Sequence, residues 1–302
     1  MTYWKSVLLV LLGACSYGVL SLFMKLSFQA GFTPYEMSSS QLIFGGLIMS
    51  IMALFFSKQR FQWKYVQKLI PVSLMMASSS FFYHQAVNQM SASLAIVFFF
   101  QFTWIGVLLE SVAQRKWPSP AKWVSIVMLG IGTVFASGLG ESGWQTISVT
   151  GLASGLLSGA TFAFVIFFSG RILADMNPYL RSAISISLAA VMISIVYPPA
   201  FLINGRLLEG LLPFGLLVAL FGSVIPIFCL SVGVPRIGNG LATILSAAEL
   251  PAVVLLSSFV LRESVSLSQW GGVLMILAAI GVPQIKWKRL LVPAQTVQKK
   301  SA

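Results

Sequence analysis

The stretch Leu69–Leu109, LIPVSLMMASSSFFYHQAVNQMSASLAIVFFFQFTWIGVLL, holds no Asp, Glu, Lys or Arg. A helix crosses the hydrocarbon core of a bilayer in about 20 apolar residues, so a run of this length reads as two crossings rather than one. Its polar cluster, His84, Gln85, Asn88 and Gln89, marks the expected turn between them. The rest of the chain has the same character. Of 302 residues, 57% are hydrophobic and only 9% are charged. Soluble domains carry about 25% charged residues, and a water-exposed surface cannot be built from so few. Lipid is therefore the main solvent.

Working outward, the same search for charge-free runs gives Ser6–Met24, Met37–Ser57, Trp123–Gly140, Ser142–Gly170, Ser182–Gly205, Gly210–Pro235, Ile237–Leu261 (interrupted only by Glu249) and Ser264–Ile285. The sequence thus predicts an all-α integral membrane protein with about ten transmembrane helices. The first run is longer than a signal-peptide core, and no small-residue cleavage site follows it, so it reads as a span. Cys15 and Cys229 both fall inside apolar runs, with neither a disulfide framework nor metal spacing around them, and are expected to be buried thiols.

The net charge of +12 would suggest nucleic acid in a soluble protein. Here its distribution says otherwise. Let the chain start in the cytoplasm and cross at every run. Lys5, the Lys58–Lys68 group, Arg115, Lys116, Lys122, Arg171, Arg181, Arg236 and every basic residue of the tail then fall inside. Only Arg206 and Arg262 fall outside, and Lys25 lies near the outer end of the first span. Cytoplasmic loops retain positive charge, so this asymmetry predicts an inner (plasma) membrane protein with both termini in the cytoplasm. The basic tail suits anionic lipid rather than nucleic acid.

The chain also repeats itself. Leu94-Ala95 corresponds to Leu241-Ala242, Arg115 to Arg262 and Trp123 to Trp270, each 147 residues apart, while Thr33-Pro34-Tyr35 and Asn177-Pro178-Tyr179 are 144 apart. The predicted halves are residues 1–140 and 148–289, followed by a basic tail, 290–302. An odd number of spans per half, five, inserts the second half upside down. Such inverted repeats switch between inward-open and outward-open shapes around a solute site near the midplane. Small residues at four-residue spacing, Gly151/Gly155/Gly159 and Gly132/Ala136/Gly140, predict close helix packing.

The segment Leu241-Ala242-Thr243-Ile244 through Ala247-Ala248-Glu249-Leu250-Pro251, then Leu261-Arg262-Glu263 and Gln269-Trp270-Gly271-Gly272, resembles the closing signature of the EamA-type branch of the drug/metabolite transporter superfamily. Tyr17-Gly18 is similar to the aromatic-Gly of that family's opening helix. The resemblance implies a ten-helix inverted-repeat carrier that exports amino acids, other metabolites or drugs through a central cavity. There are departures: Lys116 stands opposite Glu263 in the repeat, Phe102 opposite Glu249, Glu249 and Pro251 are not adjacent, and Gln41 occupies a position where many relatives carry a basic residue.

Glu249 is the sharpest candidate. It lies about ten residues into its span, roughly 15 Å deep. An ionised carboxylate there costs several kcal/mol or more unless it faces a cavity, is paired or is protonated. With Pro251, which leaves a carbonyl free one turn earlier, it could bind an ammonium group or a proton. Equally, it could be a hydrogen-bonded brace for the kink. His84 is the sole histidine. It either binds a solute, as the resemblance to aromatic amino acid exporters with a cavity histidine implies, or is solvated at the helix end. Gln101, Trp104, Tyr17 and Phe162 are placed mid-span, where aromatic walls with a few polar groups suit an organic solute; neighbour or lipid packing is the alternative. Lys25 either snorkels outward or meets an anionic group. Ser78-Ser79-Ser80 softens its helix or lines water, and Pro71, Pro226 and Pro251 are expected kinks.

No nucleotide loop, metal cluster or matched nucleophile is present, so neither an enzyme nor a cofactor is expected. The sequence points to a secondary transporter exporting small organic metabolites, with possible proton coupling through Glu249. The alternatives are a cationic multidrug exporter and a non-transporting scaffold or sensor.

Overall fold

The computed structural model describes residues 3–89, 92–137, 148–259 and 265–284. The pairing of Arg115 with Arg262, the Leu261-Arg262-Glu263 motif, Gly140, most of the linker between the halves and the basic tail lie outside them. Among the described residues the chain is helical throughout, with no strand. The helices are α1 (Tyr3–Gln29), α2 (Pro34–Phe56), α3 (Trp63–Gln89), α4 (Ala92–Phe99), α5 (Phe102–Gln114), α6 (Pro120–Ala136), α7 (Val149–Ser169), α8 (Pro178–Val196), α9 (Leu207–Ile237, with two π-helical turns), α10 (Asn239–Ser246), α11 (Glu249–Phe259) and α12 (Leu267–Gly281).

Among the described residues, seven helical segments are long and apolar enough to cross a membrane, with α4–α5 and α10–α11 each counting as one. Two shorter apolar helices, α6 and α12, accompany them. At 27 residues α3 is as long as α1 but less apolar. The turn expected at His84–Gln89 does not fall there: these residues form the last turns of α3, and α4 starts at Ala92.

The repeat is visible in how helices begin. Thr33 caps α2 in a reciprocal capping box with Glu36, and Asn177 caps α8, each followed by proline in the first turn. This is the physical content of the Thr-Pro-Tyr/Asn-Pro-Tyr pair: an acceptor side chain for orphan N–H groups, then a residue with no N–H to leave unsatisfied. Ser119 and Ser266 cap α6 and α12 in the same way.

Helix contacts follow the repeat as well. With α1–α6 as one set and α7–α12 as the other, α3 packs on α7 as α1 packs on α9. The opening helix of each set packs against the broken helix of the other, α1 on α10–α11 and α7 on α4–α5. Glycines permit these approaches. A Cβ on Gly18 would lie 2.7 Å from the Ala252 Cβ and 3.1 Å from the Glu249 carbonyl oxygen. One on Gly159 would fall on the Phe99 carbonyl. Gly132 and Gly272 bring α6 and α12 together, with Ser125 donating to the Ala279 carbonyl at 2.9 Å. Dispersion at such short range replaces the hydrophobic force that lipid removes. The opposite surface is apolar too: Leu8, Leu12, Leu47, Ile51, Leu54 and Phe55 are all exposed.

Two expectations are corrected. Cys15 is exposed, because the buried stripe of α1 runs through Gly13, Ala14 and Ser16 and leaves it outside; Cys229 is buried. Arg181, read as a loop residue, sits in the first turn of α8 and is buried. It donates to the carbonyls of Leu173 and Ser231, which satisfies a charged group that water cannot reach. Near the same end of the bundle, Glu110 is buried and paired with Lys122, beside Gly238 and Gly240 at the start of α10.

Candidate solute site

Two of the spans are interrupted at equivalent places. The first breaks at Phe100–Gln101 and the second at Ala247–Ala248, again 147 residues apart. In the second, Pro251 has no N–H for the Ala247 carbonyl, and the chain tightens through short-range bonds such as Ala248 N–H to the Leu245 carbonyl at 3.1 Å. The first break has no proline. There the Gln101 side chain donates to the Val97 carbonyl at 3.0 Å and Thr103 Oγ1 to the Phe100 carbonyl at 2.9 Å, so side chains take up the carbonyls.

A third irregularity faces these breaks. α9 contains a π-turn at Leu220–Val224, followed by Pro226. Pro226 has no N–H to donate into the preceding turn, and side chains reach the Phe221 and Gly222 carbonyls there. Ser16 Oγ bonds the first at 2.7 Å and Gln41 Nε2 the second at 2.9 Å. Gln41 also contacts Ser223 Oγ at 3.2 Å. Irregular backbone of this kind is tolerated at membrane depth only where protein or a cavity surrounds it.

Between the breaks and the π-turn lies a cavity of about 60 Å³. Its aromatic wall is Tyr17, Tyr83, Phe99 and Phe162, with Tyr17 edge-on to Phe162 at 5.5 Å and Tyr83 against Phe99 at 4.9 Å. Its polar lining comes from Gln41, Ser79, Ser80, His84, Ser223 and Glu249. Ser79 donates to the Ser158 carbonyl and Ser80 shares a 2.8 Å bond with Ser38, so the serine run both lines the cavity and ties α3 to its neighbours. Glu249 is 5% exposed, within electrostatic reach of both tyrosines. His84 is 2% exposed and bonds the Ser80 carbonyl through Nδ1 at 2.7 Å, so it is packed inside the bundle rather than solvated at a helix end.

Four residues singled out from sequence therefore meet here: Tyr17, His84, Phe162 and Glu249. Gln101 and Trp104 do not line the cavity. They bond to each other, Trp104 Nε1 donating to Gln101 Oε1 at 2.8 Å, and Trp104 is exposed. Lys25 is exposed on α1, away from the lining residues. Sequence reasoning missed Tyr83, and it met Gln41 only as a departure from relatives; Pro226 was the available signal, since it implied a carbonyl in search of a donor. Phe102, the repeat partner of Glu249, is fully buried in an aromatic cluster with Phe99, Phe100 and Phe162.

Fold, repeat and cavity define the class: an all-helical, multi-pass membrane protein with an aromatic-walled chamber among its helices. The profile of the EamA-like transporter family matches twice, over residues 4–138 and 149–282, and the chain belongs to that family. One solved crystal structure superposes with a TM-score of 0.79 over 96% of this chain and 100% of the other, at 16% identity, which is a likeness of fold alone. No curated protein sequence matches the chain significantly.

Proposed function

We propose that the protein is a secondary transporter that exports small organic metabolites by alternating access. In this reading it has ten spans in two oppositely inserted halves, residues 1–140 and 148–289, and the basic segment 290–302 lies with the N-terminus in the cytoplasm. The plasma membrane is its site. The observation that carries the reading is the exchange of partners between the halves, in which the opening helix of each packs on the broken helix of the other. A rocking motion about that relation opens the cavity to one face and then the other. Tyr17, Phe162, His84 and Glu249 line the path, and Glu249 carries a proton or a cation across. Gln101 and Trp104 serve the fold of the first break rather than the solute.

The test does not require the substrate. Met76 lines the cavity and is buried. In a variant lacking Cys15 and Cys229, Met76→Cys is expected to react with a membrane-impermeant maleimide from either face of the membrane. Each rate should change in the opposite sense when a conformation is trapped. Reaction from one face only, under every condition, would contradict alternating access.

A further inference from the structure

The cavity's hydrogen-bonding capacity has a sign. His84 Nδ1 meets a backbone carbonyl, which can only accept, so Nδ1 carries the proton. In the neutral ring Nε2 is then an acceptor, and it is buried without a partner. Gln41 is fixed by the same logic. Its Nε2 donates to the Gly222 carbonyl, so Oε1 is the other end, also buried and without a partner. Glu249 adds a carboxyl group, the one acidic side chain in the lining among the described residues. No Lys or Arg lines the cavity among the described residues. Ser79 and Ser80 have partners at Ser158 and Ser38, while Ser223 accepts from Gln41 and keeps its own O–H.

Two unpartnered acceptors and a carboxyl group thus share a small apolar chamber with four aromatic rings. Buried acceptors left without donors are costly, and a ligand that supplies the donors relieves them. Aromatic faces attract cations as well. A carboxylate ligand would leave the buried Gln41 Oε1 and His84 Nε2 without donors. We infer that the solute is an organic amine cation: a protonated primary or secondary amine with an aromatic or apolar body, its N–H groups shared among Glu249, Gln41 Oε1 and His84 Nε2. This inference rests on the transport reading above and narrows it.

Three probes of one shape separate the possibilities: 2-phenylethylamine, L-phenylalanine and 3-phenylpropionate. Binding is measured on the full-length protein in nanodiscs at neutral pH, and counterflow in proteoliposomes. The amine is expected to bind at least tenfold more tightly than either carboxylate-bearing probe. Gln41→Leu and His84→Phe are each expected to weaken the amine several-fold while leaving 3-phenylpropionate unchanged. Equal or tighter binding of 3-phenylpropionate or L-phenylalanine would overturn the inference, as would binding of none of the three. Because selectivity is read first on the unmodified protein, a variant that fails to fold does not rescue it. Two-faced labelling of Met76→Cys with no amine preference would sink the solute class alone, whereas one-faced labelling would sink the transport reading beneath it.

Discussion

Glu249→Gln is expected to reduce solute transport by at least tenfold while shifting the melting temperature of the purified protein by no more than a few degrees. The side chain is buried and lines the cavity, and no lysine or arginine lies opposite it there. Replacing the carboxyl group therefore strands no buried cation, which is the usual source of a large folding penalty in such substitutions. The amide keeps the volume and most of the hydrogen bonding, so the tightened backbone at Ala247–Ala248 has no reason to change. What disappears is a carboxyl group able to take up and release a proton or to hold a cation, and a tenfold loss corresponds to only about 1.4 kcal/mol. If Glu249 were instead a brace for the Pro251 break, the order of effects would reverse: stability would fall first, and correctly folded protein would transport normally. Thermal unfolding and counterflow on one preparation tell the two apart.

Gly159→Val should do the opposite, damaging the fold and abolishing transport as a consequence. Its side chain would fall on the Phe99 carbonyl, with the Phe98 carbonyl oxygen 3.1 Å from the new Cβ. Backbone atoms cannot swing aside as a side-chain tip can. The helices must separate at the point where α7 crosses the first break. Overpacking of this kind costs about 1–3 kcal/mol, and here it also disturbs the side-chain bonds that close the break. Gly130 and Gly271 supply the control. A Cβ at either would meet nothing within 4 Å, so valine there should leave yield and melting temperature nearly unchanged. Equal tolerance at all three positions, measured by monodisperse yield and thermal unfolding, would show that close approach at Gly159 does not hold the bundle.

Much of this architecture was legible in the sequence because lipid simplifies the code. Charge-free runs and caps locate helices when the solvent offers backbone groups no alternative partner. The offset of 147 residues was readable from Leu94 and Leu241 or Trp123 and Trp270, and it sets Phe100 opposite Ala247 at the second break. The counterpart itself was hidden. Proline announces the break before Pro251, whereas the break at Phe100 depends on Gln101 and Thr103 turning their side chains onto backbone carbonyls, which residues of those types do in ordinary helices as well. For the same reason Gln101 read as a site residue and proved to bond within its own helix.

The site was half legible. Tyr17, Phe162 and Glu249 stood out as aromatic or ionisable residues at mid-span depth and His84 as the sole histidine, and depth is something a sequence records. Facing direction is not. Trp104 and Tyr83 look alike on that criterion, yet one is exposed and the other lines the cavity. Gln41 needed a contact 181 positions away, to the Gly222 carbonyl in the turn preceding Pro226, before its role could be seen.

The two oppositely inserted halves are the claim on which the rest stands. Ala30, in the turn after α1, and Asp175, in the turn after α7, occupy corresponding loops of the two halves and are both accessible enough to label. With Cys15 and Cys229 removed, Ala30→Cys and Asp175→Cys are to be treated with an impermeant thiol reagent on intact cells and on inverted vesicles. Ala30→Cys should react only on cells and Asp175→Cys only on inverted vesicles; reaction of both from the same face would contradict the inverted arrangement.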